Sequence, residues 1–198
     1  MSNPNHHHKG LHPLIRERWS PRAFSDQSVD ADDLSLLLEA ARWAPSCYND
    51  QPWHFLVAQK HQTDEFATMA SCLVPANREW ADKAALLMIT VIRETFSHNG
   101  AENGHAAHDL GLAVAQLTLQ ASALGLGVHQ MAGFDPDLAR ELYRIPKGYR
   151  AVSAIAVGHP GDPESLPEPL RKAETTPGER RGTDEFVFSG RWGTPLTP

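Results

Sequence analysis

Apolar positions along this chain fall into patches whose period switches between helical and extended. The first patch, Leu11, Leu14, Ile15 and Trp19, is a short stripe at helical spacing, with Pro13 suited to a first turn. Ser20-Pro21 ends it, because the residue before a proline is pushed out of helical geometry. The clearest signal runs from about Asp30 to Ala44. Leu34, Leu37, Leu38 and Ala41 share one face, Asp30 is placed to cap the helix, and Asp32 and Asp33 suit its positive end. Pro45 stops it.

Trp53 to Gln59 then predicts a short buried strand and Thr63 to Leu73 a helix. Ala85 to Arg93 is one unbroken apolar run, as a central strand requires. From about Asn103 to Leu124 a long helix is apolar nearly all round and rich in alanine and glycine. It is therefore buried on most sides, in a large core or across a subunit interface. Gly125 and Gly127 end it. Val128 to Met131 reads as extended, Asp135-Pro136 opens a helix through Tyr143, and Ala151 to Gly158 is a further strand. Beyond His159 the texture changes: seven of the 15 prolines lie there, with few apolar residues before Phe186 to Phe188. Such a tail cannot build a core of its own. The expected organisation is a flexible N-terminus (1–10), one domain (11–159) and a C-terminal arm (160–198) wrapping the body or a partner subunit.

Composition narrows the class. With 41% hydrophobic and 21% charged residues in 198, the chain reads as one globular domain. A net charge of −6 argues against a broad nucleic-acid surface but leaves room for a local basic pocket. Cys47 and Cys72 form neither a CxxC pair nor a metal-ligand spacing, so a reducing cytoplasm is the expected compartment. No apolar run is long enough for a membrane helix, and no signal-peptide pattern is visible; His6 to His8 are left out of the fold reading. Gly125-Leu126-Gly127 lacks the third glycine and the following helix of a dinucleotide fingerprint, and no Walker A motif occurs.

Three constellations carry candidate chemistry. In Arg18-Trp19-Ser20-Pro21-Arg22, two guanidinium groups and a hydroxyl suit a phosphate dianion; the plainer alternative is solvated arginines paired with Glu17 or Asp26. In Pro45-Ser46-Cys47-Tyr48-Asn49-Asp50-Gln51-Pro52-Trp53, a helix stop meets a strand start, and its polar backbone suits the edge of a flat heteroaromatic ring; the alternative is an ordinary loop. In Gln130-Met131-Ala132-Gly133-Phe134-Asp135, Gly133 permits close backbone approach, or simply satisfies a tight turn. His105 and His108, with Asp109 adjacent, have a two-ligand spacing, but further ligands are not identifiable and no metal is assigned. His54 reads as a hydrogen-bonded core residue.

Together these segments resemble the FMN-dependent nitroreductase family, through RxSxR at Arg18 to Arg22, PSxxNxQPW at Pro45 to Trp53 and GFD at Gly133 to Asp135. The resemblance implies an α+β fold: a mixed, largely antiparallel sheet flanked by helices, in an intertwined homodimer with an extended C-terminal arm. It implies FMN held by both chains. Arg18, Ser20 and Arg22, beside Trp19, would hold the phosphate, completed by Arg180 or Arg181. Pro45, Ser46 and Cys47 of the partner chain would line the ring, with Asn49 nearby. Asn77 would meet the pyrimidine edge, and the Gly133 N–H, with Gln130, Met131 and Ala132 before it, would face flavin N5. Tyr48 and His108 are the expected substrate-pocket residues. Two positions depart from the family: Trp80 stands where a lysine is usual and Ala132 where a glutamate is usual. The implied activity is NAD(P)H-dependent reduction of an electron-poor acceptor, a nitroaromatic or quinone, by ping-pong turnover. The alternatives are flavin storage or sensing, or a specialised flavin reaction such as ring fragmentation or dehalogenation.

Overall fold

A computed structural model describes residues 10–176 and 178–196. The expectations for residues 1–9, including His6 to His8, lie outside these. The elements in order are α1 (Pro13–Glu17), α2 (Ala31–Arg42), β1 (Trp53–Gln59), α3 (Thr63–Ser71), α4 (Pro75–Ala81), β2 (Leu86–Arg93), α5 (Ala106–Ala123), β3 (Gly127–Met131), α6 (Pro136–Tyr143), β4 (Tyr149–Gly158) and α7 (Glu168–Thr175). The described strands form one sheet in the order β1-β2-β4-β3, antiparallel at every pairing. This is the α+β architecture expected, with helices on both faces.

The alternation of β2 explains the layering. Leu87, Ile89 and Val91 face a core shared with Phe66, Met69, Trp80 and Ile145, under α3, α4 and α6. Leu86, Met88 and Ile92 face the other core, with Leu37, Leu110, Val114 and Leu117 of α2 and α5. Because β2 has a neighbour on each side and helices on each face, it tolerates no polar residue without a partner. Its one buried hydroxyl, Thr90, meets that demand by bonding the Ser153 carbonyl at 3.1 Å and the Ser153 hydroxyl at 2.8 Å.

The caps follow the sequence: the Asp30 side chain accepts from the Asp33 N–H, and Asp135 from Asp137 and Leu138. Four expectations need correction. α1 is one short turn with no buried residue, and Ile15 is 51% exposed, because its apolar stripe meets little of its own chain. β1 is a half-buried edge strand rather than a buried one, since it has β2 on one side only. His54 is accordingly exposed, resting edge-on against Tyr149 with Nδ1 3.2 Å from the Pro52 carbonyl. Finally, α4 and α7 are helices that the apolar periodicity did not predict, both short and opened by proline at the first turn. Among the described residues, no helix is long and apolar enough to cross a membrane.

The chain beyond β4 first returns over its own body. Residues 159–161 pair with 23–25: the Ser25 N–H donates to the His159 carbonyl at 2.9 Å and the Gly161 N–H to Ala23 at 2.8 Å. Leu166 is buried and Leu170 packs on the α3–α4–α6 core. Residues 178–196 are mostly exposed; Phe188 and Trp192 pack together at 5.0 Å, and Trp192 is 92% exposed.

Candidate functional site

Segment 18–25 is extended and carries no regular structure, so its position depends on contacts with other elements. Pro21 lies flat on the start of β3, where a Cβ on Gly127 would overlap its ring. The Pro21 carbonyl is 3.0 Å from His129 Nδ1. Burial, then the charge of Arg22, lower the His129 pKa, so the ring is neutral at neutral pH and Nδ1–H can donate to that carbonyl. Phe24 stacks on Trp80 at 6.3 Å, and Trp80 meets His129 at 4.5 Å. From the far side, the Glu174 carboxylate of α7 accepts the Arg22 N–H at 2.9 and 3.0 Å and the Ala23 N–H at 3.0 Å.

These tethers bring several cations together. Arg18 caps the C-terminal end of α1 and its Nη1 is 3.3 Å from Ser20 Oγ. Its pKa is lowered by burial and then by the charge of Arg180. The Arg22 guanidinium lies 6.0 Å over the Trp80 ring centroid. Trp80 is itself 2% exposed and belongs to the core; the cation at this corner comes from Arg22 across its ring. Arg181 is exposed, and Trp19 is half-buried.

At the other end of β3, the Gly133 carbonyl accepts Asn77 Nδ2 at 2.9 Å and the Val74 N–H at 3.2 Å. A Cβ on Gly133 would sit 2.6 Å from Asn77 Nδ2 and 2.9 Å from the Val74 side chain. The glycine is therefore required by α4 behind it. Among the described residues its own N–H finds no acceptor. Met131 points into the core, whereas Gln130 and Ala132 are exposed.

The loop before β1 is built differently. Tyr48, Asn49 and Gln51 all have left-handed backbones, with φ of 53°, 54° and 47°. Such conformations cost roughly 1–3 kcal/mol each outside glycine and persist only where surroundings impose them. Here the Cys47 N–H donates to Asp109 Oδ2 at 3.0 Å and the Gln51 N–H to Ser46 Oγ at 3.0 Å. Asp50 accepts from Arg93 Nη2 and the Ser97 N–H at 2.8 Å, and from Ser97 Oγ at 2.6 Å. Burial alone would raise the Asp50 pKa, but Ser97 and Arg93 outweigh it and bring it down to about 2. The sequence marked Asp50 and Asp109 only as neighbours of other candidates and gave Arg93 and Ser97 no role; these residues meet across long sequence separations, so spacing did not reveal the network.

Tyr48 is held 79% exposed, with Phe96 at 5.6 Å and His98 at 5.4 Å. Asp109 lies 3.3 Å from the exposed His108 ring, and its other oxygen accepts the Cys47 N–H, so it organises the start of this loop. Pro45 is exposed, and Ser46 and Cys47 are half-buried. No hydrogen bond or ion pair among the described residues joins 45–49 to segment 18–22 or to 130–133.

The donor set, two guanidinium groups and a serine hydroxyl on the 18–22 segment and an unpaired backbone N–H backed by an amide at Gly133, fits a phosphate-tailed cofactor with a polar-edged ring. Comparison with known proteins agrees. The chain shares 34% identity with the crystal structure of an oxidoreductase containing FMN, at a TM-score of 0.91 over 98% of both chains. It is 26% identical to the major NAD(P)H-flavin oxidoreductase of Aliivibrio fischeri over 82% of this chain and 95% of that protein. It is 27% identical to the 5,6-dimethylbenzimidazole synthase of Rhodospirillum rubrum over 80% of this chain and 86% of that protein. The Nitroreductase family model matches residues 15–89 and 82–159, and the chain belongs to that family.

Proposed function

We propose that this protein is an FMN-dependent NAD(P)H oxidoreductase acting as a homodimer. The observation that carries it is the 18–22 segment, where Arg18 Nη1 lies 3.3 Å from Ser20 Oγ and the Arg22 guanidinium lies 6.0 Å over the Trp80 ring. Two guanidinium groups and a hydroxyl on one short segment match the charge and donor needs of a phosphate dianion. Bound FMN would supply two-electron redox chemistry between NAD(P)H and an electron-poor acceptor, in ping-pong order. The chain's own residues bind and orient. Arg18, Ser20 and Arg22, with Arg180 or Arg181, would hold the phosphate, the Gly133 N–H would face the ring at N5, and Asn77 keeps Gly133 in place.

The ring-lining loop is assigned to the partner subunit. β1 and β3 are opposite edges of the sheet, three strand spacings or about 14 Å apart. The 45–49 loop that leads into β1 and the Gly133 turn that follows β3 are thus poorly placed to meet on one ring within a chain. Pro45, Ser46, Cys47 and Asn49 of a second copy fill that role. Tyr48, with Phe96 and His98, forms an aromatic wall facing the acceptor, and His108 stands at its rim. The exposed apolar residues of α1 and of 178–196 are assigned to the same partner, with 160–198 acting as the arm.

The test is spectroscopic. Anaerobic NADH or NADPH should bleach the flavin of the purified protein, and a quinone or nitroaromatic should restore it. Persistent oxidised flavin under both nucleotides would assign the chain to flavin storage or sensing, and bleaching without reoxidation to a specialised flavin reaction. Arg18→Ala with Arg22→Ala should yield a folded dimer that purifies colourless; full flavin content in that double variant would refute the assigned cradle.

A further inference from the structure

We propose that Glu174 is a positioning residue for the cofactor phosphate, the clasp by which α7 closes the Arg18–Arg22 cradle; this rests on the FMN reading above. The Glu174 side chain is 1% exposed. Both its oxygens are used: Oε1 accepts from the Arg22 and Ala23 amides at 2.9 and 3.0 Å, Oε2 from Arg22 at 3.0 Å, and the Arg22 Nη1 lies 4.0 Å away. Two successive amides aimed at one point make a concave site for an anion. Here the chain supplies that anion itself.

Helix energetics give no reason for a glutamate at this position. Glu174 is the penultimate residue of α7, at the negative end of the helix dipole, where a carboxylate is disfavoured. Burying a charge is costly unless it is fully bonded. Both costs are offset by the contacts with residues 22 and 23, so the contact is what the residue is for. Its effect is local: Arg22 is the third member of the RxSxR motif, and Glu174 fixes its backbone on one side while His129 fixes the preceding Pro21 carbonyl on the other.

By filling the 22–23 amide pair with a carboxylate, Glu174 leaves the cofactor phosphate to the guanidinium side of the segment rather than the backbone side. The phosphate is the only part of FMN that the clasp acts on, which separates its role from general support of the fold.

The experiment compares FMN with riboflavin, which lacks the phosphate, by flavin fluorescence titration of the full-length, flavin-stripped protein. Glu174→Ala should weaken FMN by about tenfold or more, the ratio expected for losing a buried hydrogen-bonded charge, while riboflavin affinity changes by less than about twofold. Glu174→Gln keeps the shape and one acceptor oxygen; it should show a smaller loss with the same FMN selectivity, and it decides the matter should the alanine variant not fold. Unchanged FMN affinity, or equal losses for both flavins, would overturn the clasp. A wild-type protein that binds FMN no better than riboflavin would instead remove the cradle reading beneath it.

Discussion

Asp50 shows how much of this site depends on single side chains that no motif marks. Its carboxylate ties the 48–51 loop, three of whose residues are left-handed, to Arg93 and Ser97, and with them the exposed face of Tyr48. Its pKa falls from 3.8 to about 2, so its contribution is complete above about pH 4 and is lost as pH drops through about 2. Asp50→Asn should cost about 2 kcal/mol at neutral pH, measured by urea unfolding, and the gap from wild type should close between pH 4 and pH 2. A gap that stays constant across that range would mean the carboxylate is not ionised and bonded as described. The consequence for function is direct: the same variant should lose acceptor selectivity before it loses flavin.

Among the elements, β3 joins the two halves of the site. Its first residue, Gly127, underlies Pro21, and the turn after its last residue offers the Gly133 N–H. Gly127→Ala places a methyl group where the Pro21 ring lies and should displace segment 18–22. We expect a loss of about 1–3 kcal/mol in stability, as for other overpacked sites, with weakened flavin retention. Thermal melts with and without added FMN check this; an unchanged melt and full flavin content would show that the segment is not seated on β3. α2 and α6 were legible in the sequence through their side-chain caps, β2 through its unbroken apolar run, and α5 through its length and its apolar residues nearly all round. α4 and α7 were not, because each is short and owes its position to contacts made after folding: Asn77 on Gly133, and Glu174 on the 22–23 amides. Likewise RxSxR and GFD marked where the chemistry lies, but the reasons Gly127 and Gly133 must be glycine lie in residues more than fifty positions away. The resemblance in the motifs supplied the cofactor; spacing alone left it open.

For the whole molecule, the central claim is that one chain is half of a site. The exposed side of α5 carries Ala107, Gly111 and Ala115 at four-residue spacing, and a Cβ at Gly111 meets nothing within 4 Å of its own chain. In a monomer, replacing that helical glycine with leucine should stabilise the protein by up to about 1 kcal/mol. Where this small-residue side of α5 meets the partner, the interface placement that the sequence allowed for this helix, Gly111→Leu should dissociate the subunits and release flavin. The most direct test is sedimentation of the wild-type protein followed simultaneously by protein and flavin absorbance. The account predicts one boundary at the mass of two chains, carrying one flavin per chain. A monomeric boundary, with or without flavin, or a dimer that stays colourless in excess FMN, would contradict it.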